Sequence, residues 1–464
     1  MGNLSGILSL STQALLADQG ALQVTSNNIA NANTPGYSRE VPIFEEAPSV
    51  NESGIEYGQG VTLAQVTGIR DQVVELGLQS SLQQQGQINS NLESLNQVQS
   101  LFNEAQGAGL QDPLSQFFNS FQNLSTDPTD PSLRQAVMSA AQTLTSAFNQ
   151  ASAGLAEVQN GLNQSISQAV GQVNSLTSQI AQLNGQVQSA QQSGADPSQL
   201  IDQQNQLIEQ LSGLVGINNI NSSGGSVTLT TSNGALLVAG QNSYALSTGV
   251  GPGGNQDVFS QGSDVTSGLT GGSLGGYLQA LNQGVAPAQT SLDNLAASII
   301  NSVNAQEQAG YDLNGNSCAE VNFFTPLAAG SSAGAAAHMS LAITDPSEIA
   351  ASSDGTPGDN SNAIAFANVE NESLAGLGGQ SVMNYYSNFV TGVGTAVQQA
   401  TNQQTAQDLV VQQLQNQKAS VSGVSLDEES ANLIQYQTAY SASARVVSVI
   451  SQIAQLAISL GEGG

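Results

Sequence analysis

The two ends of the chain carry apolar side chains at heptad spacing, and these two patterns constrain the fold more than any other feature. Near the N-terminus, Leu8, Leu15, Leu22 and Ile29 recur every seven residues. Residues at this spacing line up along one side of a helix and pack against a partner helix. The pattern predicts one helix within residues 4–32, about 27 residues and roughly 40 Å long.

A second apolar stripe runs along the C-terminal residues 426–460. Ser425 and Glu428 stand at its start with the sequence of a capping box, in which each side chain binds the backbone N–H of the other residue. The stripe has three rows and is therefore wide enough to face more than one neighbour. Its rows are Leu433, Tyr440, Val447 and Ala454, then Tyr436, Ile450 and Ala457, and then Ala439, Val446, Ile453 and Leu460. Matched helices at both ends predict a chain that assembles through coiled-coil packing.

The alternative is a pair of helices that closes the core of an ordinary globular protein, and rough energies decide between the two. Burying about a dozen large side chains contributes ~20–35 kcal/mol at ~1.5–3 kcal/mol each. Ordering about 60 residues costs ~1–2 kcal/mol apiece before hydrogen bonds are counted. An isolated pair of such helices is therefore marginal, and neighbouring copies that bury the remaining faces would stabilise it.

An asparagine-rich segment ends the first helix. Asparagine weakens a helix because its amide competes for backbone hydrogen bonds. The four residues are Asn27, Asn28, Asn31 and Asn33. Pro35-Gly36 then suits a turn with fixed φ at its first central position and positive φ at its second. Residues 41–70 contain several prolines and glycines and are predicted to be extended.

Helical spacing returns in the middle of the chain. It predicts helices over residues 72–102 and 200–214 and, after a break at 127–131, a much longer one. The long helix is marked by apolar residues at steps of three and four. They are Leu155, Val158, Leu162, Ile166, Ala169, Val173, Leu176, Ile180, Leu183 and Val187. Together these helices predict a rod-like bundle.

The period of the pattern changes after Ile217. A β-hairpin is predicted where Asn233-Gly234 separates two short apolar segments. The glycine-rich run 248–255 is predicted to be a loop. The remaining predicted elements are a helix over 274–308, a strand over 339–344 and a helix over 381–420.

The predicted fold class is mainly α, with a small β-rich insertion in a long-helix bundle. This order of elements brings the two ends of the chain together and places the insertion farthest from them. We divide the chain into a terminal coiled-coil unit made of 1–70 and 421–464, a helical bundle made of 71–215 and 273–420, and a β-rich domain over 216–272 that strands from 318–350 would extend.

Charged residues make up 8% of the chain, against roughly 25% in ordinary soluble proteins. Five are cationic and 34 anionic, for a formal net charge of −29. Such a chain is repelled by phosphate backbones and anionic membranes, which excludes nucleic-acid and polybasic-membrane partners. The acidity suits solubility outside the cell, and a compositional bias of the lineage explains it equally well. Because tryptophan is absent and aromatic residues stand at 4%, the predicted core is aliphatic.

The sequence offers no catalytic site. His338 is the only histidine and Cys318 the only cysteine, which leaves no Ser-His-Asp or Cys-His arrangement, no multi-His metal site and no internal disulfide. The run 249–254 has the glycine spacing of a dinucleotide-binding loop but contains Pro252 and opens no helix. The run 312–316 has its glycine at the wrong position for a calcium loop and predicts a hydrogen-bonded turn. We therefore predict no catalytic residue, no cofactor and no metal.

The sequence also predicts whether the chain spans a membrane or carries a secretory signal peptide. No stretch reaches the run of about 18 apolar residues that a membrane span needs. The first cation is Arg39, so the N-terminus lacks the basic region of a secretory signal peptide. The chain is predicted to be soluble without a membrane partner, and its export would use a route that cleaves no leader.

Residues 28–37, Asn-Ile-Ala-Asn-Ala-Asn-Thr-Pro-Gly-Tyr, resemble the N-terminal signature of the bacterial flagellar rod, hook and hook-associated proteins. The continuation Ser38-Arg39 and the C-terminal run 422–447 are most similar to the hook-associated members found at the hook–filament junction. Residues 127–136 and 311–315 are similar to the helical domain of the same proteins. The resemblance spans nearly the whole chain.

The resemblance implies a secreted, extracellular structural protein of the flagellum, located at the hook–filament junction and exported by the flagellar type III apparatus. In that family the terminal helices build an inner coiled-coil tube, a helical domain surrounds it, and a β-rich outer domain projects. The implied partners are further copies of the chain in a ring or helical layer, the hook protein, the second hook–filament junction protein, and an export chaperone at the C-terminal region.

The two apolar stripes, together with the positions that match the family's motifs, predict one assembly interface. Its residues are Leu8, Leu15, Leu22, Asn27, Asn28, Ile29, Asn31, Asn33, Pro35, Gly36, Tyr37, Leu433, Tyr436, Tyr440, Val447, Ile450, Ile453 and Leu460. Two alternatives remain open. A hook or rod protein would share the N-terminal motif, and an exported adhesin or enzyme would use axial-type termini for secretion.

Overall fold

Most helices of the computed structural model lie close to their predicted positions, and two, Gln111–Leu124 and Ser361–Asn368, were not predicted. The structure describes residues 2–52, 55–221, 225–328 and 331–461. Its α-helices are α1 (Gly2–Asn31), α2 (Gln72–Ser100), α3 (Gln111–Leu124), α4 (Pro131–Gln192), α5 (Ser198–Leu214), α6 (Gly272–Ala280), α7 (Ala286–Gln308), α8 (Ser361–Asn368), α9 (Val382–Ser422) and α10 (Leu426–Gly461). A π-helical turn joins α6 to α7, so the helix predicted over 274–308 is one continuous rod with a bulge.

The long helix α4 is the axis of the helical body. Asp130 caps its start, because the Asp130 carboxylate accepts a hydrogen bond from the Ser132 N–H at 2.7 Å. Its predicted apolar stripe is buried except for Leu176, which is half-buried, and Ile166 and Val187 are fully shielded from solvent. The helices α2, α3, α5, α6 and α7 all pack against α4. The predicted long-helix bundle is confirmed.

Strands occur at two places in the chain. They are β1 (Glu40–Glu46), β2 (Val50–Glu52), β3 (Ile55–Tyr57) and β4 (Val61–Gly68) near the N-terminus, and β5 (Ile217–Asn221), β6 (Val227–Thr231), β7 (Leu236–Ala239), β8 (Asn242–Ser243), β9 (Leu246–Val250), β10 (Gln256–Ser260) and β11 (Ser263–Asp264) in the insertion. The insertion forms two antiparallel sheets, β5-β6-β7-β8 and β9-β10-β11. The predicted hairpin is β6 and β7, in which Leu229 lies opposite Val238.

The loop predicted over 248–255 is partly wrong. Strand β9 continues to Val250, and Gly249 lies opposite Asp257 on β10. The ring of Phe259 covers Gly249, since a Cβ at that glycine would lie 3.0 Å from Phe259 Cε2. The glycine makes room for a neighbouring aromatic ring and stays in the sheet, which its propensity alone does not predict.

The strand predicted over 339–344, and with it the extension of the β domain by strands from 318–350, is wrong. In the described part of that segment Leu341 forms one isolated bridge to Phe324 and no strand. The segment belongs to the helical body, because Asn304 on α7 donates to Phe324 O at 2.9 Å and accepts from Phe324 N at 2.8 Å. Two backbone hydrogen bonds, from Thr325 N to Ser340 O at 2.8 Å and from Ala342 N to Phe323 O at 2.9 Å, hold the segment extended at this bridge without forming a sheet.

The core is not purely aliphatic. A cluster of phenylalanines joins α3, α8 and the segment after α7, with Phe121 and Phe366 stacked at 4.4 Å between ring centroids and Phe117 and Phe323 at 5.9 Å. Each of these side chains is almost completely buried. Six of the eleven phenylalanines of the chain lie in this cluster, where each ring buries a large apolar surface.

A buried carboxylate sits beside this cluster. Glu307 on α7 is fully shielded; its Oε1 accepts from Ala350 N at 3.1 Å, and its Oε2 has no hydrogen-bond partner among the described residues. Burial raises the pKa of Glu307 to about 8 from an ordinary value of 4.5.

The pKa of Glu307 predicts how stability depends on pH. The pKa of Glu307 is higher in the folded chain than in the unfolded chain, so between pH 4.5 and about 8 the folded chain binds a proton that the unfolded chain has lost. The contribution of Glu307 to the free energy of unfolding therefore falls as the pH rises through that window. Glu307→Gln keeps the shape without the charge and should be more stable than the native chain at pH 9. Urea unfolding at pH 5 and pH 9 measures this, and equal pH dependence of the two chains would contradict it.

Candidate assembly interface

The first and last helices of the chain form an antiparallel pair. Asn28 Nδ2 lies 3.1 Å from Glu429 Oε2, across 401 residues of sequence, and Ser443 Oγ lies 3.3 Å from Asp18 Oδ2. The end of α1 therefore lies beside the start of α10, and the contact continues from there along both helices. The hairpin of β1 and β4 covers another side of α1.

The predicted interface residues of α1 differ in exposure along the helix. Leu15, Leu22 and Ile29 are half-buried, whereas Leu8 near the free end is 37% exposed. Small residues such as Ala17 and Ala21 are the most deeply buried apolar positions of α1. The heptad leucines therefore keep part of their surface for contacts beyond the chain.

The predicted residues of α10 follow the same trend. Leu433, Tyr436, Tyr440 and Val447 are half-buried, and the Tyr436 ring lies 6.5 Å from that of Phe44 on β1. Ile450 is buried and Ile453 is exposed. The side chain of Leu460 lies outside the described part of the chain.

Asn28 is the buried centre of the asparagine-rich segment and is 1% exposed. Its Nδ2 donates to Glu40 O at 2.8 Å and to Glu429, and its Oδ1 accepts from Glu40 N at 2.9 Å and from the Tyr37 hydroxyl at 2.8 Å. One amide thus joins α1, the following turn, β1 and α10. All four of these contacts lie within one chain.

The other residues of the segment surround Asn28. Asn27 donates to Glu40 Oε2 at 3.3 Å, and Asn31 donates to Asn27 Oδ1 at 2.9 Å. Tyr37 is half-buried. Three predicted interface residues of this segment and its turn remain exposed, namely Asn33, Pro35 and Gly36. Gly36 has a φ of 81°, which explains why the turn requires glycine.

Arg39 fastens the start of α10. Its Nε donates to Glu429 Oε1 and its Nη1 to Glu428 Oε2, both at 2.8 Å. Ser425 Oγ accepts from the Glu428 N–H at 3.4 Å. The Glu428 carboxylate, which the sequence predicts to bind back to Ser425, is held by Arg39, because a charged partner 2.8 Å away is stronger than a backbone N–H.

Sequence reasoning missed a second group of residues. Asp202 on α5 accepts from Ser38 Oγ at 2.8 Å and from Arg70 Nη2 at 2.7 Å. A Lys418–Glu209 ion pair joins α9 to α5 on the same side. Arg39 therefore closes the terminal unit on itself, Arg70 holds that unit against the body, and Lys418 holds α9 against α5. In the sequence, the available sign of these ion pairs is the scarcity of cations.

Burial governs the electrostatics of this junction. Desolvation raises the pKa of Glu40 above its ordinary value, and the Asn27 amide partly offsets this. Desolvation also raises the pKa of Asp18 on α1, which has Ser443 as its hydrogen-bond partner. Carboxylates at the junction are thus paired with amides and hydroxyls as well as with the few cations.

The outer faces of the helix pair remain apolar. Large exposed apolar side chains number four on α1 and seven on α10, namely Ile7, Leu8, Leu10, Leu16, Leu426, Ile434, Val446, Val449, Ile453, Leu456 and Ile458. Within the described residues, one helical stretch at Val382–Ser459 is long and apolar enough to cross a membrane by length and composition, contrary to the sequence-based expectation. Length and composition do not distinguish a membrane span from an apolar packing face.

The predicted turn over 312–316 is confirmed. Asp312 Oδ1 accepts from the N–H groups of Asn314 and Asn316 at 2.8 and 2.7 Å. His338 is exposed, and burial raises the pKa of the Cys318 thiol to about 12. Across residues 2–461, apart from the gaps in the description, no group of three or more His, Cys, Asp or Glu side chains could hold a metal ion.

Arg39 provides a test of the junction. Glu429 is 2% exposed, so Arg39→Gln leaves a buried carboxylate without its cation and should destabilise the α1–α10 pair by about 3 kcal/mol. Arg445→Gln is the matched control, since Arg445 is exposed and forms no ion pair within the described residues. Hydrogen exchange of α10 amides compares the two variants, and equal protection would refute the assignment.

Three protein families match segments of the chain. Residues 95–324 match the helical domain of the flagellar hook-associated protein FlgK, residues 8–37 match the flagella basal body rod protein family, and residues 415–460 match the C-terminal domain of the flagellar basal body rod FlgEFG proteins. The two terminal matches coincide with α1 and α10.

Similar proteins cover nearly the whole chain. Flagellar hook-associated protein 1 of Bacillus subtilis is 30% identical, with 98% of each chain covered, and that of Escherichia coli is 26% identical, covering 97% of this chain and 98% of the relative. The flagellar hook junction protein FlgK of Burkholderia pseudomallei has the same fold, with a TM-score of 0.66 and 21% identity over 74% of this chain and all of that one.

Proposed function

The chain belongs to the flagellar hook-associated protein 1 family, and we propose that it joins the hook to the filament by packing α1 and α10 against neighbouring subunits. It is a structural subunit of the bacterial flagellum, exported and located outside the cell at the hook–filament junction. In this proposal the residues of the predicted assembly interface make the contacts between subunits. That the chain catalyses no reaction is part of the proposal.

One observation carries the proposal. Where the two terminal helices meet, the buried polar side chains of Asn28 and Glu429 have partners within the chain, while eleven large apolar side chains among the described residues of the same helices stay exposed. Leaving such a surface in water is unfavourable, at roughly 25 cal/mol per Å² of apolar area. Burial against neighbouring subunits removes that cost, and a pair of helices with two apolar sides suits a tube wall.

The partners follow from the same surface. The chain assembles with other axial proteins of the flagellum. We propose that these are further copies in a ring or helical layer, the hook protein below and the second hook–filament junction protein above. An export chaperone would cover the C-terminal region before export, because α10 carries seven of the eleven exposed apolar side chains. In this proposal the inner domain consists of residues 1–70 and 421–464, the middle domain of 71–215 and 273–420, and the outer domain of 216–272.

Deletion of residues 1–36 tests the proposed function. The deletion removes α1 and the turn after it but leaves the helical body, so we expect cells with hooks that release flagellin into the medium and carry no filaments. Electron microscopy and the amount of flagellin in the culture supernatant measure the result. Normal filaments on such cells would refute the proposal. Immunogold labelling along the whole hook would instead favour a hook protein.

A further inference from the structure

The outward face of α10 carries exposed apolar side chains, with Thr438, Ser441 and Gln452 between them, and a single cation. Ile434, Val449 and Leu456 are 65%, 52% and 63% exposed. Arg445 lies four residues before Val449 and eleven after Ile434, which is one and three helical turns, so these side chains share one face. We call this set the α10 outer stripe.

Arg445 differs from the other cations of the chain. Arg39, Arg70 and Lys418 form ion pairs within the chain. Arg134 is 2% exposed and donates to backbone carbonyls, among them Pro128 O at 2.7 Å and Ile349 O at 2.8 Å. In the described part of the chain no carboxylate lies within ion-pair distance of exposed Arg445. It is the cation that remains for a contact outside the subunit.

The hairpin of β1 and β4, which we call the β arm, has the complementary surface. Ile43, Phe44 and Val61 are 43%, 37% and 42% exposed. Glu45 and Glu46 beside them are exposed as well. Between Arg39 and Arg70 the sequence contains five glutamates and no lysine or arginine. The β arm therefore combines an apolar surface with negative charge.

We propose that the β arm of one subunit docks on the α10 outer stripe of a neighbouring copy, with Arg445 paired to Glu45 or Glu46. The inference rests on the proposed function, since it assigns the contact between copies. The two surfaces lie on one chain but on different faces of it, and such a head-to-tail contact repeats to form a ring or a helical layer.

Charge explains why the pairing matters. Copies with a net charge of −29 repel one another when packed closely. Burying Arg445 among apolar side chains without an anion is unfavourable, whereas burying it against a glutamate of the next copy relieves repulsion at the same point. The ion pair thus selects the register in which the apolar surfaces meet.

Cysteine cross-linking tests the contact in assembled flagella. The full-length chain with Glu46→Cys and Arg445→Cys is expressed in its own bacterium, and hooks with junctions are isolated and oxidised. The native Cys318 is 2% exposed and stays unreactive. We expect a ladder of covalent oligomers of this chain. Cross-linked monomer alone, or a product containing another protein, would overturn the inference. The pair Glu157→Cys and Arg445→Cys is the control, because Glu157 is exposed on α4 and outside the assembly interface.

Charge reversal provides a second readout. Arg445→Glu should raise flagellin release at least tenfold, and so should Glu45→Lys with Glu46→Lys. Combining the three substitutions should restore filaments, as should co-expression of the two defective chains. Glu157→Lys, at an exposed position on α4, should remain near native. If Arg445→Glu keeps filaments while the deletion of 1–36 loses them, the docking contact is wrong and the proposed function stands.

Discussion

Asn28→Asp is expected to separate α10 from α1 while leaving the helical body folded. The substitution replaces a donor that binds Glu40 O at 2.8 Å and Glu429 Oε2 at 3.1 Å with an oxygen that repels both. Two buried hydrogen bonds are lost at ~1 kcal/mol each, and two carboxylates come close at a site that is 1% exposed. We expect a loss of about 4 kcal/mol in the pairing free energy.

Hydrogen exchange of the purified chain measures this effect. Amides of α1 and α10 should exchange at least a hundredfold faster in Asn28→Asp, and those of α4 should be unchanged. Asn33→Asp is the matched control, because it adds the same charge to the same segment at an exposed position. Similar exchange rates in the two variants would show that the segment does not depend on the buried amide. In cells, Asn28→Asp should also release flagellin.

Gly86→Ala is expected to destabilise the helical body, although alanine normally favours a helix. Gly86 lies where α2 crosses the end of α5 and the start of α6, and a Cβ there would lie 2.3 Å from Gly213 O and 3.1 Å from Gly272 Cα. Both neighbours are backbone atoms, so the helices themselves must move apart. We expect a loss of about 3 kcal/mol, which outweighs the ~1 kcal/mol that alanine contributes by helix propensity.

The control for Gly86 lies on α4. Gly161 is exposed, and a Cβ added there would meet no atom within 4 Å. Gly161→Ala should therefore stabilise the chain by up to about 1 kcal/mol. Urea unfolding monitored by circular dichroism gives both values. The signs should be opposite, and a stabilised Gly86→Ala chain would mean that α2, α5 and α6 do not approach as closely as described.

Elements with long periodic patterns were predictable. The stripe from Leu155 to Val187 forms a single helix because an apolar face of that length has one way to be buried, and Asp130 caps its start as its sequence position suggests. Short segments were less certain. Gly249 occurs in a strand and Leu341 in an isolated bridge, since neighbouring rings and helices decide their conformation.

The candidate interface likewise has one part that the sequence predicts and another part that it does not. Half-buried Leu15 and Leu22 lie on the helix that periodicity predicts. Their exposed remainder supports the contact with neighbours that the heptad stripe predicts. The partners of Arg39 and Arg70 were not predictable, because Glu429 and Asp202 are 390 and 132 residues away in sequence. No periodicity connects residues at such distances.

The sequence alone determined the two terminal helices, the long bundle helix and the small β insertion, because each follows from the spacing of apolar residues along one element. The tertiary structure decided what the rare polar groups do. It turned the asparagine-rich segment inward, so that Asn28 joins α1 to β1 and α10, and it left Arg445 on an apolar outer face. The physical reason is that hydrogen bonds and ion pairs depend on which elements meet in space.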